Sequence, residues 1–217
     1  MGKTLEQKRA EYSYECVNSI KDLELAEKFK SLVKKAPTLI LTNGFGNTMA
    51  FLFSKGNPEH LMLAYIIGRY LFEENEYTKN IFGEKDIYKG NRNDFFDFYK
   101  KLNELKKIQD EYRNLIKSKK NKEGENKKNE FNELFRKLRD NYNRYLNYNL
   151  KEKSIDEFNI QAYFQFLSLE LQDSIFRNLV FTETYKYILT TEETLRFLNW
   201  LKRFVDAMIE DKKGNEG

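Results

Sequence analysis

Apolar residues recur three and four positions apart along most of this chain, with charged residues between them, and that spacing predicts helices. Ala10, Tyr14, Val17, Ile20 and Leu32 mark a first helix over 4–35. Thr4 and Gln7 open it as a capping box, a threonine with a glutamine three residues on. Pro37 closes it, because the ring has no N–H to continue the ladder. Next comes the most apolar stretch, PTLILTNGFGNTMAFLFSKG over 37–56. Asn43-Gly44 between apolar runs is a hairpin signal, but 38–41 and 49–53 do not alternate as strands do. Helical spacing fits better: Leu41, Phe45, Thr48 and Leu52 on one face, Ile40, Gly44, Asn47 and Phe51 on the next. The reading is a buried helix carrying Gly44 and Gly46, at roughly 1 kcal/mol for each interior glycine. Glycine lets a backbone or a ligand approach closely, so this helix is either tightly packed against a neighbour or a contact surface.

Asn57-Pro58-Glu59 is a second start signal, a cap, a proline at the first position and an acid. Leu61, Tyr65, Ile66 and Tyr70 follow, and Leu63, Ile67 and Leu71 widen the apolar face, so this helix is buried on more than one side. Residues 73–93 read as a polar connection. Phe95, Phe98, Leu102, Leu105, Ile108, Tyr112 and Leu115 form one packed seam; Phe131, Leu134, Leu138, Tyr142 and Tyr145 form another. The charged stretch 118–128 between them reads as a turn, giving an antiparallel helical hairpin over 94–150. Ser154 and Glu157 form a capping box ahead of a helix with Phe158, Tyr163, Phe166, Leu169 and Ile175. Thr190, Thr191, Glu192 and Glu193 open the last helix, whose seam is Leu195, Leu198, Leu201, Val205 and Met208. The tail from Asp211 is polar. The expected architecture is all-α: a single helical domain over 1–217, a bundle with an inserted antiparallel helical hairpin.

Composition sharpens this picture. Of 217 residues, 40% are hydrophobic and 33% charged, with only 2 Pro and 10 Gly, which favours long helices. The net charge is +4, and the excess sits in the middle: 81–153 hold 20 Lys and Arg against 13 Asp and Glu. Cys16 and His60 are each the only residue of their type. An intrachain disulfide is therefore impossible, and a Cys/His zinc site has too few ligands. No apolar run approaches the ~18–20 residues of a membrane span, and 1–12 lack a leader's apolar centre, so the expectation is a cytoplasmic protein. Gly2 is no myristoylation signal, since Glu6 stands where Ser or Thr is wanted. The paired acids Glu73-Glu74 and Glu192-Glu193 project in different directions on a helix, and 37–56 contain neither phosphate-loop pattern. These observations point away from an enzyme, a metal or a cofactor.

The 37–56 segment, with an early proline, an apolar stretch, an NG-hydrophobe-G core and an A-F-L-x-S-K ending, resembles the small subunit family of the type III-B CRISPR effector, the Cmr complex. TTEETLRFLNWLKRFVDAM over 190–208 is a second match in the right order, and RAEYSYECV suits the family's first helix. The resemblance covers about 3–72 and 175–210 and leaves out 80–155, so the basic hairpin looks like an insertion. It implies an all-helical, non-catalytic subunit that stacks in copies along the effector filament beside other Cmr subunits. There it helps to hold crRNA paired with target RNA, with no membrane and no small-molecule substrate. A helical protein–protein scaffold without RNA contact is the alternative.

Single-strand tracking needs cations spaced along a groove with aromatics or amides nearby. Arg196, Lys202 and Arg203 flank Trp200 and Phe204. Lys55 ends the glycine helix, Asn43 and Asn47 share one of its faces, and Lys34 and Lys35 end the first helix. These eight residues are the candidate RNA contacts. Each has a plainer explanation. Lysines in a last turn complement the helix dipole, Arg203 has Glu192 or Glu193 of a neighbouring chain as possible partners, Trp200 suits a core or interface, and the asparagines suit buried backbone groups. The basic loop 117–128 reads as a solvated tip.

Overall fold

A computed structural model describes residues 2–75, 78, 94–146, 154–160, 163, 175, 176, 179 and 182–211. It is all-α, with seven α-helices and no strand among the described residues. In chain order these are α1 (Leu5–Ile20), α2 (Ala26–Asn43), α3 (Phe45–Lys55), α4 (Pro58–Arg69) running into a π-helical turn (Tyr70–Glu74), α5 (Asp94–Lys117), α6 (Asn121–Leu146) and α7 (Thr184–Met208). Two compact units divide the chain. One is Met1–Ile87 with Phe164–Gly217, and the other is Tyr88–Tyr163.

In the first unit the C-terminal helix is central: α7 packs on both α1 and α2. Phe197, Leu198, Leu201 and Val205 are its inner residues, facing a core that includes Tyr12, Cys16, Val17, Phe29, Val33 and Ala36. Burying each of the larger side chains contributes roughly 1.5–3 kcal/mol. Cys16 lies wholly within this core, and burial holds its thiol well above the ordinary range, so it behaves as a small apolar residue. The capping box at Thr4 forms as expected: Gln7 N–H donates to Thr4 Oγ1 at 3.2 Å, and Thr4 N–H to Gln7 Oε1 at 2.8 Å. Pro58 is the first residue of α4 after Asn57, and every residue over 61–69 is buried.

In this unit four features differ from the sequence reading. The expected helix over 4–35 is two helices, broken over 21–25, and Pro37 lies inside α2 rather than after it. The break lets α1 and α2 each lay a face on α7, and Pro37 removes only one ladder bond, so the packed helix runs through it. The stretch around Gly44 is a corner between α2 and α3, not one continuous helix. Gly44 has φ +82° and ψ 158°, a conformation nearly closed to residues with a Cβ. Leu41 consequently falls outside the buried face, at 73% exposed. Finally, α7 starts at Thr184, so 190–193 lie within it. The hydroxyls of Thr190 and Thr191 donate back to the carbonyls of Lys186 and Tyr187 instead of capping.

The second unit is the expected antiparallel hairpin. α5 and α6 pack along their length, with Phe98, Leu102, Leu105, Phe131, Phe135 and Leu138 inside. Its turn is shorter than the charged stretch suggested, only 118–120, because α6 already begins at Asn121. Gly124 is helical there, and a Cβ on it would meet Ile116 Cδ1 at 2.9 Å, so the two helices close on each other at that point. Gln109 donates to the carbonyls of Ile155 and Phe158 at 2.5 and 2.9 Å, fixing 155–158 as a turn on the hairpin. The capped helix expected from Ser154 is a turn at 155–157, and most of its remainder lies outside the described residues, as do most of 73–93.

Candidate functional site

With 3.6 residues per turn, burying Phe197, Leu201 and Val205 turns Arg196 and Arg203 to the opposite, solvent side of α7. Both are exposed. Lys202 is exposed too, about 100° round the helix from Arg203. The Arg203 guanidinium lies over the Trp200 ring, 4.9 Å from its centroid. Trp200 stacks on Phe204 at 6.0 Å, and Tyr14 of α1 meets Phe204 edge-on at 5.7 Å. The indole Nε1–H donates to Glu6 Oε1 at 2.6 Å. That bond, with a second from Arg9 Nη1 at 2.5 Å, holds the Glu6 carboxyl below the usual glutamate range.

Arg9 connects this surface to the interior. Its Nε and Nη2 donate to the two oxygens of Glu193 at 2.9 and 2.6 Å, and both side chains are buried. Tyr70 Oη donates to Glu193 Oε1 at 2.5 Å, and Asn75 Nδ2 donates to that same oxygen at 2.9 Å and to Tyr70 Oη at 3.0 Å. The Glu193 bonds raise the guanidinium's pKa, and burial followed by Glu193 raises that of the Tyr70 hydroxyl, so the first stays charged and the second stays a donor. Glu193 is thus spoken for within its own chain and is no partner for a neighbour's Arg203; Glu192 beside it is exposed.

The other candidates lie apart. Lys34 and Lys35 are well inside α2, which ends at Asn43, so the helix dipole does not account for them. Lys34 pairs with Asp206 of α7 at 3.1 Å, and the buried Lys30 donates to the Ile209 carbonyl at 2.8 Å and pairs with Asp211 at 2.9 Å, closing the end of α7. Lys35 is exposed. Asn43 and Asn47 flank the Gly44 corner, both exposed, with Asn47 Nδ2 donating to the Asn43 carbonyl at 2.9 Å. The corner is tied to α7 by Tyr187, whose hydroxyl accepts the Gly46 N–H at 2.9 Å. Lys55 is in the last turn of α3 with its ammonium 5.5 Å from the Phe51 ring centroid. Tyr187 and Arg203 are sixteen residues apart on one helix, about 24 Å. The eight candidates therefore form no single cluster: Arg196, Lys202 and Arg203 share α7, the asparagines sit at its opposite end, and Lys55 lies at the far end of α3. Glu6, Arg9, Tyr70, Asn75 and Tyr187 are not among the site candidates of the sequence reading, because partners up to 194 residues apart leave no local pattern.

A family model described as CRISPR-associated protein (Cas_Cmr5) matches residues 5–103 and 115–208. This chain belongs to that family. Cas_Cmr5 is the small-subunit family of the type III-B Cmr complex. The Cas_Cmr5 match takes in α1 to α4, the π turn, all of α6 and α7, and every candidate residue named above. It is wider than the 3–72 and 175–210 that the resemblance covers: it takes in most of 80–155 as well, and between its ends it leaves out only 104–114, within α5. Among the described residues no helix is long and apolar enough to cross a membrane.

Proposed function

We propose that this chain is a non-catalytic small subunit that stacks in copies within the Cmr ribonucleoprotein and supports the target RNA strand paired with crRNA. The observation that carries the reading is the outer face of α7. Arg196 and Arg203 stand seven residues apart on one exposed face, about 10 Å along the axis. Both are exposed, and the Arg203 guanidinium lies over an indole. Open cations beside aromatics are what backbone tracking of a single strand requires. Of the eight candidates, Lys34 ranks lower because Asp206 already neutralises it.

The test is Lys202→Ala with Arg203→Ala in the assembled complex. Target-RNA retention falls and the salt dependence of binding flattens, while the circular dichroism of the purified subunit is unchanged. Unaltered target affinity refutes the assignment. The scaffold reading draws on a different feature: Leu41, Tyr185 and Ile188 are exposed at the end of α2 and the start of α7, which the Tyr187–Gly46 bond ties together. Apolar docking through that corner is insensitive to salt, whereas phosphate contact weakens steeply as salt rises.

A further inference from the structure

We propose that Glu6 and Trp200 are positioning residues for Arg203, so that the first helix sets the direction in which the last helix offers its arginine to an anionic partner. The proposal rests on the reading of α7 as an RNA-contact face and names what prepares that face.

An exposed arginine ordinarily samples many rotamers, and ordering it on binding costs entropy. Here the guanidinium lies over the Trp200 ring, 4.9 Å from its centroid, an attraction between cation and ring face. The nearby acid is Glu6, which feels the Arg203 charge at longer range than an ion pair, so the planar fork keeps donors for a phosphate, which it suits. The indole is itself constrained: its one N–H is taken by Glu6 at 2.6 Å, and its ring stacks on Phe204, which Tyr14 abuts. Glu6 is held in turn by Arg9, and Arg9 by the buried Glu193. A continuous series of contacts therefore runs from the interior to the Arg203 fork, and its only exposed carboxylate is Glu6. With Arg203 on one face of the ring, Trp200 acts through the arginine instead of stacking on a base.

Two readouts on the full chain test this. The first is the heteronuclear NOE of the Arg203 Nε–Hε group, which needs no RNA. The wild-type group is ordered. In Trp200→Ala it becomes as mobile as a free side chain, in Glu6→Gln it is intermediate, and in Trp200→Phe, which keeps a ring face, it is partly restored. The second readout is a double-mutant cycle on target-RNA affinity in the assembled complex. Trp200→Phe and Glu6→Gln each weaken binding two- to fivefold, and neither has any further effect once Arg203 is alanine. A mobile Arg203 in the wild type, or equal order in all variants, overturns the positioning role whatever the RNA does. Fully additive losses overturn it as well. An ordered Arg203 whose removal leaves RNA affinity unchanged keeps the positioning and refutes the RNA reading of the face.

Discussion

Replacing Glu193 by alanine is the sharpest perturbation available to the fold. Arg9 and Glu193 are both 4% exposed. Removing the carboxylate strips the guanidinium of its two bonds at 2.9 and 2.6 Å and leaves it only Glu6 at the surface. Breaking a buried ion pair from one side costs about 3–5 kcal/mol. Tyr70 loses its acceptor as well, while Asn75 keeps the Tyr70 oxygen at 3.0 Å, so one further orphaned donor adds about 1 kcal/mol. The expected loss is about 4–6 kcal/mol, a large share of the ~5–15 kcal/mol that holds a domain together. Urea unfolding followed by emission is suited to this, because Trp200 is the only tryptophan and lies in the same compact unit. With a slope near 2 kcal/mol per molar, the midpoint falls by about 2–3 M. Arg9→Met with Glu193→Leu and Tyr70→Phe removes the charges together, and that triple variant lies within about 3 kcal/mol of wild type. A loss below about 1 kcal/mol for Glu193→Ala, or a triple variant no more stable than the single one, refutes the argument that the desolvated charge dominates.

Four further outcomes follow from the geometry. Gly44→Ala destabilises by about 1–3 kcal/mol, since its positive φ with extended ψ is nearly closed to alanine, whereas Gly46→Ala is neutral or slightly stabilising because a Cβ there meets only the Tyr187 hydroxyl, at an ordinary 3.5 Å; paired thermal melts separate the two. His60 is partly desolvated against Phe51, and burial lowers its pKa below 6.5 despite the neighbouring Glu59. As the folded state is the weaker proton binder, this group's contribution is complete above pH 6.5 and is lost as pH falls toward the folded pKa. Glu74 runs the other way: burial raises its pKa above 4.5, so its contribution is complete below 4.5 and is lost as pH rises through the folded value. The single histidine gives one resolvable imidazole resonance, and a midpoint at or above 6.5 contradicts the burial. Glu6 has a depressed pKa, caused first by the Trp200 bond and then by Arg9, so Trp200 emission is constant above pH 4.5 and changes only below it; a transition above 4.5 excludes that bond.

What the sequence discloses follows from how local each determinant is. The Thr4–Gln7 box, the Asn57-Pro58 start and the first hairpin seam depend on residues within a turn or two and are present, while in the second seam Phe135 is buried and Leu134 only half-buried. The errors arise where packing outweighs a local signal. Pro37 reads as a stop, yet α2 gains more by continuing along α7 than it loses in one ladder bond. Lys119, Lys120 and Gly124 read together as a turn, yet Gly124 is the residue that lets α6 approach Ile116. Thr190 and Glu193 resemble a helix start, yet both are buried, one bonded backward along its own helix and the other to Arg9. The three α7 cations were legible as a group because one helix carries them. Their support from Glu6 was not, because it comes from the opposite end of the chain.

That pairing of the chain's two ends has a kinetic consequence. During synthesis α1 and α2 emerge before α7, yet the surface they share belongs to α7. Their apolar faces stay uncovered until α7 has been made, an interval in which a nascent chain is prone to aggregate. The hairpin between them needs only neighbouring segments, so it can fold early. Once α5 and α6 have closed on each other, their outer ends are held together, and the loop that the core must later close is effectively much shorter. Because closure entropy grows with loop length, a hairpin that folds early speeds the final docking of α7, a service to assembly independent of anything its lysines bind.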